Sequence, residues 1–194
     1  IGNLEDITLR ALRVLKEADI IACEDTRVTK KLLSHFDIHT PTTTFNANSG
    51  EKGFEKIVEL LESGKHVALV SDAGTPGISD PGLELVSVVR DSFARRSTAE
   101  GLPELKIETI PGPSALAAAL SVAGLRASSF TFWGFLPLKK GRETIFKEIA
   151  ASKRASIMYE SPHRIVKTLG SLATHLPAQR RVGVFRELTK IYEE

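Results

Sequence analysis

Ser71 to Gly82, SDAGTPGISDPG, directly follows the apolar run His66–Val70 and precedes a predicted helix. A connection between a strand and a helix usually takes about two to six residues, so twelve at this place read as a binding loop. Glycine lets backbone approach a ligand closely, and proline holds the loop in one shape, which lowers the entropy lost on binding. The plain alternative is a βα connection that binds nothing. Pro111-Gly112-Pro113-Ser114 stands in the same position, after a predicted strand Lys106–Ile110 and before an Ala-rich helix that Ser114 can cap. In open parallel sheets ligands gather outside the carboxyl ends of the strands. Two small-residue bends at neighbouring strand tips therefore predict a crevice for a nucleoside-like ligand.

The elements that must carry these bends follow from periodicity. Leu9, Leu12, Leu15 and Ala18 recur at helical spacing, with Thr8 or Asp6 as N-cap. Ile20–Cys23 reads as a buried strand ended by Glu24-Asp25-Thr26-Arg27. The alternation continues with a helix near Thr29–His35, a strand near Thr43–Phe45, a helix Phe54–Glu62, a strand His66–Val70 and a helix Gly82–Arg90. After the strand Lys106–Ile110 comes the helix from Ser114, with Gly124 as its C′ residue. Arg95–Glu104 is polar and reads as an inserted surface loop. Beyond Gly124 the pattern gives a strand-like Phe130–Phe135, a basic turn Lys139–Arg142, a helix Glu143–Ala150, a strand Ser156–Tyr159, a helix Ile165–His175 and a strand Val182–Phe185. Strands separated by helices predict an α/β fold of two domains. The N-terminal domain, 1–126, carries a mostly parallel sheet with helices on both faces; the smaller C-terminal domain, 127–194, carries a mixed sheet.

Composition narrows the class. A 42% hydrophobic chain with a net charge of +2 and 14 glycines is neither disordered nor collagen-like. The single cysteine, Cys23, excludes a disulfide framework and a cysteine metal cluster. The five histidines lack metal-ligand spacing, so no metal is expected. No GxxxxGK[ST], GxGxxG, HExxH or GxSxG is present. The longest uncharged apolar stretch, Ser114 to Leu125, falls short of the roughly 20 residues that cross a bilayer. With no signal-like start, the expectation is a reduced, cytoplasmic protein. Residues 1–126 carry 14 Lys+Arg against 18 Asp+Glu, and residues 127–194 carry 12 against 6. The basic second half points to a polyanionic partner, with solvated lysines on a helix face as the plain alternative.

In order, IGNLEDITLRAL, ADIIACEDTR, VALVSDAGTPGISDPG, IPGPSALAAALSVAGL, FWGFLP, YESPHR and RELTK resemble the tetrapyrrole-methylase superfamily and, within it, the ribosomal RNA small subunit methyltransferase I branch. The likeness covers nearly the whole chain; Arg95–Glu104 departs from the pattern, and both ends are expected to be trimmed. It implies a two-domain homodimer that binds S-adenosylmethionine in a cleft between domains and methylates the 2′-hydroxyl of a cytidine ribose in 16S rRNA, free or within the 30S subunit. It also implies that Ser71, Asp72, Ala73, Gly74, Thr75 and Ile78 in the first bend, with Ser114 and Ala115 in the second, contact the cofactor.

Methyl transfer to a ribose oxygen needs alignment, exclusion of water and stabilisation of developing charge, without metal. The carboxylates in question are Asp25 and Glu160, and the cations are Arg27 and Arg164. Glu24, Asp25 and Arg27 also fit a surface ion-pair cluster, and Glu160 fits an orienting role for His163 or Arg164. For RNA, Lys139, Lys140, Arg142 and Arg164, with Lys153 and Arg154, supply phosphate-seeking charge. Trp133, Phe135 and Tyr159 could stack bases, but for Trp133 and Phe135 a core or dimer-interface place is the favoured reading, because a Phe-Trp-Gly-Phe run also reads as a buried strand. Two other readings stay open: a related methylase acting on a tetrapyrrole or a protein side chain, and an α/β module that binds nucleotide or RNA without catalysis.

Overall fold

The computed structural model describes residues 1–96, 103–125 and 128–194. A 3₁₀ turn, Leu4–Asp6, leads into α1 (Leu9–Glu17), which begins where the Thr8 hydroxyl accepts the Ala11 N–H at 3.1 Å and satisfies one of the donors a helix start leaves unpaired. Then come β1 (Ile20–Cys23), α2 (Thr26–His35), β2 (Thr42–Thr44), α3 (Gly50–Glu62), β3 (Val67–Val70) and α4 (Gly82–Arg96). The sheet order is β2-β1-β3 and both pairings are parallel, with Ile21 opposite Thr42 and Ala68.

β1 is the middle strand, and its alternating residues feed two cores. Ile21 and Cys23 pack with Leu15, Leu33 and Ile38; Ala22 packs on the other side with Phe45, Ile57, Val58, Leu85, Val89 and Phe93. A central parallel strand covered on both faces has no polar side, which is why Ile-Ile-Ala-Cys is an unbroken apolar run. Each Leu, Ile or Phe fully buried this way contributes roughly 1.5–3 kcal/mol.

The chain divides into two compact units, Ile1–Ala115 with Thr189–Ile191, and Leu116–Leu188 with Tyr192–Glu194. The changeover falls in the first turn of α5 (Ala115–Val122). The boundary expected near Arg126–Ser128 falls on residues 126 and 127, outside the described residues. In the second unit, β4 (Phe130–Phe135) and β5 (Ala155–Tyr159) pair in parallel, with a register shift between Phe132 and Phe135 where Gly134 takes a φ of 60°. α6 (Arg142–Ala151) and α7 (Ile165–Ala173) close a core of Leu136, Phe146, Ile149 and Leu172, against which Trp133 and Met158 pack.

Several expectations change. Lys106–Ile110 is not a strand: Leu105 packs on the core, but Ile107 is 41% exposed and Lys106 pairs with Glu108, so the segment lies along the unit without joining the ladder. Val182–Phe185 is likewise unpaired, with Val182 and Val184 half-exposed. A β-like alternation becomes a strand only where another strand pairs with it, and neither segment is paired among the described residues. The second unit's sheet is the parallel pair β4–β5 among those residues, not a mixed sheet. Arg95 and Arg96 belong to α4, where Arg96 pairs with Glu62; of the expected inserted loop, residues 97–102 lie outside the described residues. α2 starts at Thr26 rather than near Thr29 because Asp25 caps it, and α3 starts at Gly50 rather than Phe54.

Candidate functional site

β1 and β3 end side by side, with Cys23 opposite Val70. Past this pair the ladder stops and side chains take over. The Asp72 N–H donates to Glu24 Oε1 at 3.1 Å, and the Asp25 N–H donates to Asp72 Oδ1 at 3.1 Å. Asp25 also caps α2: Oδ1 accepts the Arg27 N–H at 2.8 Å, and the carboxylate receives Arg27 Nε at 3.1 Å and Nη2 at 2.7 Å. These bonds from Arg27, side chain first, draw the Asp25 carboxyl down to about 2. Asp25 is therefore ionised at neutral pH and a weak base. The side chain of Arg27 is 87% exposed. Burial pushes the neighbouring Glu24 up, helped by the charges of Asp72 and Asp80 and opposed by the Asp72 N–H.

The long loop is built on its own small residues. The Ser71 hydroxyl donates to Gly74 O at 3.2 Å, and the Asp80 carboxylate accepts the N–H groups of Gly77 at 2.8 Å and Gly82 at 2.7 Å. Gly74 and Gly77 have φ of 80° and 88°, a region that costs an L-residue energy. The second bend meets the first: the Thr75 hydroxyl donates to Pro113 O at 3.2 Å. A Cβ on Gly74 would lie 3.4 Å from Pro113 O, and one on Gly112 would lie 3.5 Å from the Thr75 hydroxyl. Asp72, Ala73, Ile78 and Gly112 are exposed, while Ser114 and Ala115 are partly buried. The two predicted bends thus touch in one unit, with glycine on each side of the contact. From Ser71 to Thr75 only Asp72 has a side chain larger than threonine, and its carboxylate is tied to Asp25. The residues accordingly fit a flat nucleoside laid against backbone. Among the described residues no group of three or more side chains is placed to hold a metal ion.

The second unit holds Glu160. Its side chain is 4% exposed; Oε1 accepts the Ser161 N–H at 2.8 Å and pairs with Arg164 Nη2 at 2.5 Å, and Oε2 accepts the Thr168 hydroxyl at 2.6 Å and Arg142 Nη2 at 3.3 Å. Burial opposes its ionisation, but the donors from Thr168, Ser161 and Arg142, with the charge of Arg164, outweigh it and the carboxyl sits below its ordinary value. Arg142, 14% exposed, also donates to Pro137 O at 3.0 Å and lies 5.0 Å from the centre of the Phe146 ring. Sequence reasoning gave Arg142 to RNA; its guanidinium is turned inward, because Glu160, Thr168 and Pro137 O sit under the first turn of α6. Arg164, 27% exposed, bonds Glu160 and keeps an edge toward solvent. Lys139 and Lys140 are exposed on the turn before α6.

Three participants were not picked out from sequence. Asp80 organises the loop, and its signal was the Asp-Pro-Gly at the helix start, a turn former whose carboxylate reaches nearby N–H groups. Thr168 lies four residues after Arg164, one helical turn on, at a polar position in a buried stripe. Glu24 was visible only as one charge in a cluster.

The family model of tetrapyrrole (corrin/porphyrin) methylases matches residues 1–194, and the chain belongs to that family. It is 47% identical to the ribosomal RNA small subunit methyltransferase I of Halalkalibacterium halodurans and covers 63% of that protein; with the protein of the same name from Vibrio cholerae it is 47% identical over 64% of it, and with that of Thermotoga maritima 42% identical over 82%. All of this chain is matched in each case. It thus spans just under two thirds of the length of the first two relatives. Among solved structures, cobalt precorrin-4 methyltransferase has the same fold at a TM-score of 0.61 and 16% identity, covering 89% of this chain and 70% of that one. Diphthine synthase does so at 0.55 and 17%, covering 89% and 68%. None of the described helices is long and apolar enough to cross a membrane.

Proposed function

We propose that this chain carries the methyl-transfer site of an S-adenosylmethionine-dependent enzyme that modifies the 2′-hydroxyl of a cytidine ribose in 16S rRNA. The observation that carries the reading is the contact between the SDAGTP and PGPS bends, tied by Thr75 to Pro113, in a methylase-family chain whose relatives named above are rRNA methyltransferases. Bound in this site, S-adenosylmethionine supplies an electrophilic methyl group. Ser71, Asp72, Ala73, Gly74, Thr75, Ile78, Ser114 and Ala115 are the residues proposed to hold it.

What the chain adds is position and charge. Holding two reactants in line can lower a barrier by roughly 7–11 kcal/mol, and the braced loop is suited to that work. Asp25, too weak a base to take a ribose proton efficiently, holds Arg27. Arg27 is then the group offered to charge developing on the ribose oxygen. Glu160, with three hydrogen bonds and the Arg164 ion pair on it, acts through Arg164 and not as a base. Lys139, Lys140 and the open edge of Arg164 are the RNA contacts proposed in the basic half. The working form is proposed to be a cytoplasmic homodimer, and sedimentation tests the stoichiometry.

The deciding experiment incubates the protein with methyl-labelled S-adenosylmethionine and 30S subunits and digests the RNA to nucleosides. Label in 2′-O-methylcytidine is expected; label in a base, in protein, or nowhere refutes the reading.

A further inference from the structure

The geometry points to Glu24 as a positioning residue: it accepts the Asp72 N–H across the tips of β1 and β3 while the Asp72 carboxylate accepts the Asp25 N–H, and this clasp fixes residues 72–75 before any ligand arrives. The inference rests on the proposed reading of that loop as the cofactor loop.

Where a parallel ladder ends, the next N–H groups lose their backbone partners and must find others or face water. Here both find carboxylates. Asp72 donates to Glu24, and Asp25 donates to Asp72, each at 3.1 Å, so the two connections hold one another by charge-assisted bonds. Glu24 also offers its backbone O to Asn46 Nδ2 at 3.4 Å, which ties it to the chain leaving β2. Downstream, Asp80 takes the N–H groups of Gly77 and Gly82. The loop is thus anchored at 72 and again at 77.

Between the anchors, no hydrogen bond within the described residues takes up the N–H groups of Ala73, Gly74 or Thr75. Three consecutive donors with no partner among the described residues, next to a residue at φ 80°, are left for a ligand's acceptors. Without Glu24 the first anchor goes and these donors lose their fixed places, so binding must then also order the loop.

Three variants test this. Glu24→Ala removes the acceptor, Glu24→Asp withdraws it by one methylene with the charge kept, and Glu24→Gln keeps an acceptor oxygen in place. The readouts are amide hydrogen exchange of residues 72–77 without ligand, calorimetric affinity for S-adenosylmethionine, and the KM for each substrate. In Glu24→Ala and Glu24→Asp, exchange at Asp72 is expected to quicken about tenfold and affinity to fall about tenfold, the worth of one charge-assisted bond, while the KM for RNA and kcat at saturation hold. Glu24→Gln is expected to stay within about threefold of the parent. Unchanged exchange at Asp72 in Glu24→Asp, equal losses in Gln and Asp, or a matching rise in the KM for RNA would overturn the inference. Normal exchange effects in a parent that binds no S-adenosylmethionine would instead overturn the cofactor reading and leave the clasp standing.

Discussion

Glu160→Ala is the perturbation with the largest consequence that the structure specifies. It takes the shared acceptor from Arg142, Thr168, Ser161 and Arg164, at side-chain exposures of 14% for Arg142 and 27% for Arg164. Removing one partner of a buried pair costs about 3–5 kcal/mol, since the remaining charge is left without compensation. Arg164 can turn to water and Arg142 keeps Pro137 O, so the low end, about 3 kcal/mol, is expected. Glu160→Gln keeps the shape and one acceptor, and about 1.5–3 kcal/mol is expected, the range for hydrogen bonds to a charged group. Adding Arg142→Met to Glu160→Ala removes the stranded cation and is expected to return at least about 1 kcal/mol, a non-additivity typical of contacting residues. Trp133, the single tryptophan, packs on the core of the same unit, so urea unfolding followed by its fluorescence reads this unit directly. The pH dependence has a definite sign. A carboxyl held below its ordinary value of 4.5 contributes stability that is complete above that value and is lost as pH falls through the lower folded value. The parent therefore loses stability below about pH 4.5, and Glu160→Gln loses less. A cost under about 1 kcal/mol for Glu160→Ala would refute the buried-hub reasoning. So would a Glu160→Gln protein with parental stability and cofactor affinity but no turnover, which would make Glu160 a base.

Asp25→Asn should lower turnover more than S-adenosylmethionine affinity, read by single-turnover methylation beside calorimetry; equal loss of both, or of neither, removes the pair from the chemistry. Since Asp25 sits at about 2, its contribution to folding should persist from neutral pH to about 4 and fade toward 2, which acid titration of α2 by circular dichroism checks. Thr75→Val should weaken cofactor binding several-fold while leaving unfolding within about 1 kcal/mol, because one neutral hydrogen bond to Pro113 O is lost. Gly82→Ala should destabilise the first unit, its Cβ falling 2.8 Å from Asp80 Oδ1 and 2.9 Å from Leu69 Cδ2, and differential scanning calorimetry would register it. RNA affinity should fall linearly in log–log salt titrations, and Lys139→Ala with Lys140→Ala should flatten the slope.

Much of this was legible because the fold rests on local periodicity. Ile20–Cys23 could be read as a buried strand from its unbroken apolar run, and Thr8 as a cap from its place before the leucine stripe. The two bends could be read as a candidate site because glycine and proline there have a backbone meaning of their own, and the structure brings them into contact. Illegible parts depended on partners distant in sequence. Lys106–Ile110 and Val182–Phe185 have strand-like alternation, but pairing is a property of two segments, and one cannot announce it. Arg142 looked like a phosphate ligand because a basic turn looks the same whether its guanidinium faces water or Glu160, 18 residues on.

The role of Glu24 shows where that boundary lies. ACEDTR and VSDAGTP each end a strand with a carboxylate one or two residues past its tip, and neither says which strand is its neighbour. Sheet order supplies the missing fact: in β2-β1-β3 the two tips are adjacent and in register, Cys23 against Val70. Glu24 and Asp72 then stand beside one another with an unpaired N–H each side of the junction, and exchanging side-chain acceptors is the cheapest way to satisfy both. Had β2 lain between β1 and β3, the same residues would have been two unrelated surface charges. The site's shape is thus a consequence of topology acting on local motifs, and a substitution that leaves every motif intact but loosens the β1–β3 pairing should damage cofactor binding as much as one within the loop.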